Sequence, residues 1–344
     1  MDKRTEIEKL GEFGLIDRIQ SNVKKYNSQT IKGIGDDAAV IESGDEVLLV
    51  STDLLIEGVH FDLSYMPIQH LGYKSVVVNV SDIAAMNGTA RQITISVGLS
   101  SRISVEAIDA FYEGVNAACK NYKVDLVGGD TSASPSGLTI SVTVIGASLP
   151  NEVSYRSGSK DKDILCVTGD LGGAYVGLQI LEREKQVFLS NPEMQPKLEG
   201  YDYIVQRQLK PEARLDIIHE LKDLEIVPSA MIDVSDGLAS DLMHLASQSS
   251  LGARIFEDKL PIDKSTYDVA VELNLDPITC VLNGGEDYEL LFTIKQSDFD
   301  KLEKHRDIHF IGYMEKGTKE VGIVTKNEQW VPLQAQGWKH FSED

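Results

Sequence analysis

The sequence GEFGLIDRI, from residue 11, sets apolar side chains at 13, 15, 16 and 19, so residues 1–30 read as a helix followed by a polar loop. AAVIES (38–43) and EVLLVSTD (46–53) are strand-like, and Gly44-Asp45 between them predicts a hairpin. Residues 67–86 read as a helix with Pro67 near its start and SVVVNVSDIAAM as its apolar face. QITISVGL (92–99) alternates as a strand, residues 105–122 return to helical periodicity with Ser104 as a cap, and DLVGGD and LTISVTVIGAS follow as strands. The pattern resets at Pro150 and the polar stretch through Lys162, so a domain boundary is expected there, with units 1–150 and 151–344. ILCVTGDLGGAYVGLQILE (164–182) then reads as strand, Gly-rich turn and helix. The charged stretch 182–202 has poor periodicity and is expected to be exposed, helical or loop-like. Pro211 fits the first turn of a helix EARLDIIHELKDL, DLMHLASQSS forms another, and ARIFED, YELLFTI and HFIGYME read as strands. The fold class is α+β in two domains.

At strand ends the chain repeatedly sets an acidic residue beside Gly, Ser or Thr: GIGDDAA (33–39), STD (51–53), VSDIAAM (80–86), GGDTS (128–132), DVSDG (233–237) and GGEDYEL (284–290). Any one of these has an ordinary structural explanation, because Asp beside Gly caps helices and bonds its own backbone in turns. In DVSDG that role falls to Ser235 or Asp236, as N-cap of the following helix. Their recurrence with hydroxyl neighbours, and with little Lys or Arg nearby, points to divalent metal, and oxygen-rich sites of this kind suit Mg²⁺ shared with substrate phosphates. Asp36-Asp37, Ser51-Thr52-Asp53, Asp82, Asp130 and Asp233/Asp236 are the candidate ligands.

Charge sharpens this reading. With 33 basic against 54 acidic residues, the chain carries a formal charge of −21, which argues against nucleic acid or an anionic membrane as partner. A polyphosphate needs metal to approach such a protein. The N-terminus lacks the apolar core of a signal peptide, and no apolar run is long enough to span a bilayer. Cys119, Cys166 and Cys280 lie isolated in apolar surroundings and read as reduced thiols, which favours the cytoplasm.

Gly33-x-Gly35-x-x-Ala38 superficially matches a dinucleotide fingerprint, but it leads into strands instead of opening a helix, and no P-loop is present. TGDLGGAYVG (168–177) offers a Gly-rich turn whose N–H groups either face an anion or serve close helix–strand packing. Arg156 is a phosphate ligand or a solvated linker residue. His60 is a substrate contact or a satisfied structural group, and Glu286 a partner for a cationic substrate group or a turn residue.

Taken in order, GEFGLI, GIGDDAAV, VSTDLLIEGVHF, NVSDIAAM, VGGDTS, RSG, VTGDLGG, IDVSDG, NGGEDYELLF and GWKHF resemble the thiamine-monophosphate kinase family. That family belongs to the superfamily of aminoimidazole ribonucleotide synthetase and selenophosphate synthetase. The resemblance covers nearly the whole chain. It implies transfer of the ATP γ-phosphoryl group to thiamine monophosphate. It also implies Mg²⁺ at Asp37, Ser51, Thr52, Asp53, Asp82, Asp130, Asp233 and Asp236. ATP contacts fall at Tyr112, Gly129, Asp130, Arg156 and Ser235, and thiamine phosphate contacts at His60, Glu286 and Trp338. The implied architecture pairs the N-terminal sheet with that of a second subunit into a β-barrel, beside an α/β C-terminal domain in a homodimer. Another ATP-using member of the superfamily is the nearest alternative, the selenophosphate branch being disfavoured by the lack of an N-terminal Cys. A structural Ca²⁺-binding oligomer is the alternative of a different class, and no EF-hand spacing supports it.

Overall fold

The structure, a computed structural model, describes residues 10–334, and Trp338 lies outside them. The first half builds a six-stranded sheet in the order β1 (Thr30–Lys32), β2 (Ala39–Ser43), β3 (Glu46–Ile56), β6 (Thr139–Ser148), β4 (Thr89–Leu99) and β5 (Asp125–Ala133). All neighbours are antiparallel except β4 and β5. The expected hairpin forms: Ser43 pairs with Glu46, and Gly44 takes the turn at φ +65°, a conformation glycine adopts without steric cost. Helix α1 (Gly11–Asn22) precedes the sheet, while α2 (Ile68–Ala85) and α3 (Val105–Tyr122) pack on each other, with α2 across β3, β6 and β4. Ser104 caps α3 through an N–H of Ala107. Helix α2 is buried almost all round, which explains why its apolar residues exceed one face.

The second half forms a seven-stranded sheet in the order β13 (Trp330–Pro332), β12 (Val321–Val324), β9 (Gly252–Phe256), β11 (Ile308–Glu315), β7 (Ile164–Thr168), β10 (Leu290–Ile294) and β8 (Ala230–Asp233). Strands β7, β8 and β10 are buried along nearly their whole length, and their sequences are continuous apolar runs as such strands require. Around the sheet lie α4 (Gly173–Ser190), α5 (Asp202–Leu209), α6 (Leu215–Asp223), α7 (Leu238–Ser249), α8 (Lys264–Glu272), α9 (Pro277–Asn283) and the single turn α10 (Phe299–Leu302). The two halves share one hydrophobic core: Val76 and Val80 of α2 belong to the same buried cluster as Ile217 and Leu221 of α6 and Met231 of β8.

Two expectations need correction. Pro211 does not open a helix, because residues 211–214 stay irregular: Ala213 N–H donates to the Tyr122 hydroxyl on α3, and Arg214 reaches Glu289. The stretch 182–202 is not simply exposed. Helix α4 runs through it to Ser190, the buried Glu184 accepts the Lys197 N–H, and Leu198 packs against the core. Among the described residues no helix is long and apolar enough to cross a membrane.

Candidate active site

The site grows from the parity of β3. Alternate residues of a strand face opposite sides, so Ser51 and Asp53 face α2 while Thr52 faces away. Ser51 Oγ donates to Asp82 Oδ2 of α2 at 2.5 Å. Thr52 Oγ1 instead donates to the Val142 carbonyl at 3.0 Å and lies 3.1 Å from Thr143 Oγ1, so its side chain is turned from the cluster and only its main chain adjoins it. From the second half, Asp233 ends β8, and its Oδ2 accepts from Ser81 Oγ of α2 at 2.6 Å. Asp37 enters from the loop before β2. One carboxylate oxygen each of Asp37, Asp82 and Asp233 lie within 4.8 Å of one another.

Three carboxylates at that separation, Asp37 and Asp233 buried and Asp82 half-buried, repel unless protonated or neutralised. Burial pushes Asp82 well above the usual carboxylate range, and the charges of Asp53, Asp233 and Asp37 push it further against the Ser51 bond. Burial and the Asp37 charge raise Asp233 to about 7, with Ser81 and Arg156 opposing, and burial raises Asp53 to about 6. The residues fit a divalent cation. Beyond the convergent oxygens, Asp37 Oδ2 is buried with no hydrogen-bond partner, an orphan acceptor that such an ion would satisfy.

Arg156 is no solvated linker residue. Its guanidinium donates to Asp37 Oδ1 from Nη2 at 2.6 Å and Nε at 3.2 Å, and its N–H donates to Asp36 Oδ1 at 2.9 Å. Lys32 pairs with Asp36 at 3.0 Å, so Asp36 is held by one basic side chain and a backbone N–H, while Asp37, held through Oδ1 by the Arg156 guanidinium, keeps Oδ2 open. The expected capping role of Ser235 or Asp236 is also overturned. Gly237 occupies the N-cap of α7 with no side-chain cap, and Asp236 instead donates its N–H to the buried Asp241 at 3.3 Å. The Ser235 carbonyl accepts the Glu286 N–H at 2.7 Å, tying the DVSDG loop to the GGEDYEL loop.

That second loop carries Glu286 and Tyr288 at φ +60° and +53°, a backbone region non-glycine residues rarely adopt. Glu286 Oε2 accepts from Lys74 Nζ at 2.7 Å and Gln208 Nε2 at 2.8 Å. Burial pushes its pKa up, but Lys74, Gln208 and the nearby His60 outweigh that and hold the carboxyl below its ordinary range. His60 takes the structural role: Nδ1 accepts the Ile56 N–H at 3.0 Å, and the ring lies close enough to Glu286 to help hold its carboxyl down.

The Gly-rich turn before α4 does face an anion, but one from this chain. Asp287 accepts the N–H groups of Gly172 at 2.7 Å and Ala174 at 3.2 Å, and Arg207 lies 3.6 Å from it. Its close packing is real as well, since Gly172 admits no Cβ without crowding the Cys280 and Val281 backbone to 3.2 Å. Asp130 and Gly129 lie on β5, whose nine residues are all exposed, three strand spacings from β3 or about 14 Å measured along the sheet. Gly129 is required there because a Cβ would meet the Ile95 carbonyl at 1.9 Å. Tyr112 stacks edge-on against Phe111 on α3. The structure thus brings Asp37, Ser51, Asp53, Asp82, Arg156 and Asp233 together, joins Ser235 and Asp236 to the Glu286 loop, and leaves Asp130, Gly129 and Tyr112 apart. Sequence reasoning missed Lys74, Asp241 and Asp287. The first had a readable signal, the single Lys of a largely apolar helix, set directly before SVVV, where an ammonium needs a buried partner.

Comparison with known proteins agrees with this geometry. Residues 35–148 match the AIR synthase related protein, N-terminal domain, and residues 162–325 match the C-terminal domain of the same family. The chain is 35% identical to the thiamine-monophosphate kinase of Aquifex aeolicus, over 97% of this chain and 99% of that one. It is 34% identical to that of Bacillus subtilis, over 96% and 100%. The solved structure of AaThiL complexed with AMPPCP and TMP superposes with a TM-score of 0.83 at 34% identity, covering 98% of this chain and 99% of the other. The chain belongs to the thiamine-monophosphate kinase family of AIR synthase related proteins.

Proposed function

We propose that this protein phosphorylates thiamine monophosphate with ATP, giving thiamine diphosphate and ADP. The observation that carries the reading is the convergent carboxylate triad Asp37, Asp82 and Asp233 with its open oxygen, in a chain similar over almost its full length to thiamine-monophosphate kinases. A relative solved with AMPPCP, an ATP analogue, and TMP supports both substrates. The acceptor phosphate oxygen forms a bond to the γ-phosphorus as the bond to the β-bridging oxygen breaks, and ADP leaves with that electron pair. The acceptor is already ionised near neutral pH and needs little or no general base. Catalysis rests on in-line alignment and neutralisation of a loose transition state.

Asp37, Asp82 and Asp233, with Ser51 and Asp53 beside them, would hold Mg²⁺, which would supply the positive charge that screens donor from acceptor. Arg156 holds Asp37 in place, and Ser235 and Asp236 present the nucleotide side of the DVSDG loop. Asp130, Gly129 and Tyr112 are assigned to the nucleotide from the opposite edge of the sheet. In support, Asp130 makes no ion pair among the described residues. Thr52 contributes through its main chain. His60, Glu286 and Trp338 are assigned to the thiamine moiety, the last by resemblance alone.

We divide the chain at residue 150, and we read it as a homodimer in which the first sheet meets its counterpart from a second subunit in a barrel. The support is β5, an exposed edge strand that presents Leu126 and Val127, since an unprotected apolar edge invites pairing. Three unpaired cysteines favour a reducing compartment, and so the cytoplasm. Incubation with ATP, Mg²⁺ and thiamine monophosphate should yield thiamine diphosphate by chromatography, and light scattering should give twice the 37.8 kDa chain mass. ATP consumption with no thiamine diphosphate would move the chain to a sister activity.

A further inference from the structure

Lys74 is the oddest buried residue in the protein: its side chain is 1% exposed, on a helix that is otherwise apolar and small-polar over the same turns. Burying an ammonium is costly unless hydrogen-bonded acceptors neutralise it. Here Nζ donates to the Gln208 carbonyl at 3.1 Å and to Glu286 Oε2 at 2.7 Å, while Gln208 Nε2 donates to that same oxygen at 2.8 Å. One oxygen of Glu286 is thus clamped twice. The other, Oε1, takes a long 3.4 Å contact from the Tyr288 hydroxyl, and the side chain remains 32% exposed. A carboxylate held by one oxygen and presented by the other is built to meet a second group.

The same helix carries the other end of the site. Seven and eight residues on, Ser81 donates to Asp233 and Asp82 joins the acid cluster. Two turns of α-helix span about 10.5 Å. Helix α2 is buried almost all round and cannot shift at one end without the other.

We propose that Lys74 is a positioning residue for the acceptor: it fixes the free oxygen of Glu286 two helical turns along α2 from the acid cluster. Acceptors are thereby selected by the distance between a cationic ring and the phosphate that reacts. This rests on the kinase reading above. A purely structural ion pair would stabilise the fold without favouring either substrate.

The test compares wild type with K74M, K74R, E286Q and the double variant K74M/E286L, which removes both charges and so avoids a buried unpaired ion. Steady-state kinetics with ATP and thiamine monophosphate are read beside direct binding of AMPPCP. The expected result for K74M, E286Q and the double variant is an acceptor KM raised at least tenfold. In these variants kcat should stay within about threefold and AMPPCP affinity should be unchanged. K74R should recover most of the acceptor KM. An unchanged acceptor KM in a folded K74M or double variant overturns the proposal, as does an equal loss of AMPPCP affinity. Wild-type protein that does not phosphorylate thiamine monophosphate overturns the kinase reading and this proposal with it, a result distinct from turnover that is insensitive to Lys74.

Discussion

Asp233→Asn is expected to lower turnover by about a thousandfold, the upper range for removing one preorganised electrostatic group, while making the metal-free protein more resistant to heat at pH 8. The two effects have one cause. Asp233 is buried at the end of β8, near the charge of Asp37, and its carboxyl is raised from 3.8 to about 7. Holding it ionised at pH 8 costs the fold on the order of 4 kcal/mol by linkage. Asparagine keeps the shape and can still accept from Ser81 through its carbonyl oxygen, so that cost disappears. What it cannot do is supply the charge that a divalent ion and the phosphates around it require. Differential scanning in EDTA and a turnover assay on the same preparation check both halves. Near-wild-type turnover would remove Asp233 from the metal site, and a lower melting temperature in EDTA would show that its charge is structural.

The second large effect is a pH dependence that Mg²⁺ abolishes. Asp53 and Asp233, at about 6 and about 7, and Asp82, raised well above its ordinary range, all bind protons more tightly folded than unfolded. Their contribution is complete below the unfolded value of 3.8 and is lost as pH rises through the folded values. Each such group removes about 1.4 kcal/mol per pH unit across its window. In EDTA the melting temperature should therefore fall from pH 5 to 7.5, against the usual trend for salt-bridged carboxylates. With Mg²⁺ the ionised forms are the ones that bind, so the curve should flatten and the stabilisation by metal should grow with pH. Parallel curves with and without Mg²⁺ would count against the acid cluster as a metal site.

Much of the first half was readable from periodicity, because β3, β4 and β6 alternate over much of their length and α3 buries one face. The hairpin at Gly44 and the Ser104 cap depend on local backbone chemistry that a short sequence carries entirely. Pro211 misled for the converse reason. Proline permits a helix start, but the Tyr122 hydroxyl and Glu289, remote in sequence, hold residues 213 and 214 instead. The DVSDG loop repeats the lesson, since a residue suited to capping was diverted to Asp241 by the turn it occupies.

Composition and local motif establish which oxygen-bearing side chains this protein owns and in what order they come, and they give the expectation that so acidic a chain meets phosphates through metal. Those properties survive any path the backbone takes. Only the tertiary structure decided which of them converge. Side-chain parity on β3 sends Ser51 and Asp53 inward and Thr52 outward. The strand order sets Asp130 at an exposed edge while Asp37, Asp82 and Asp233 meet from a loop, a helix and a strand. Long-range pairing is a matter of where whole elements pack, and no spacing along the chain encodes it. Lys74 belongs to the same class: its charge was visible in the sequence, and its partner Glu286 was not, because burial alone brought the two together.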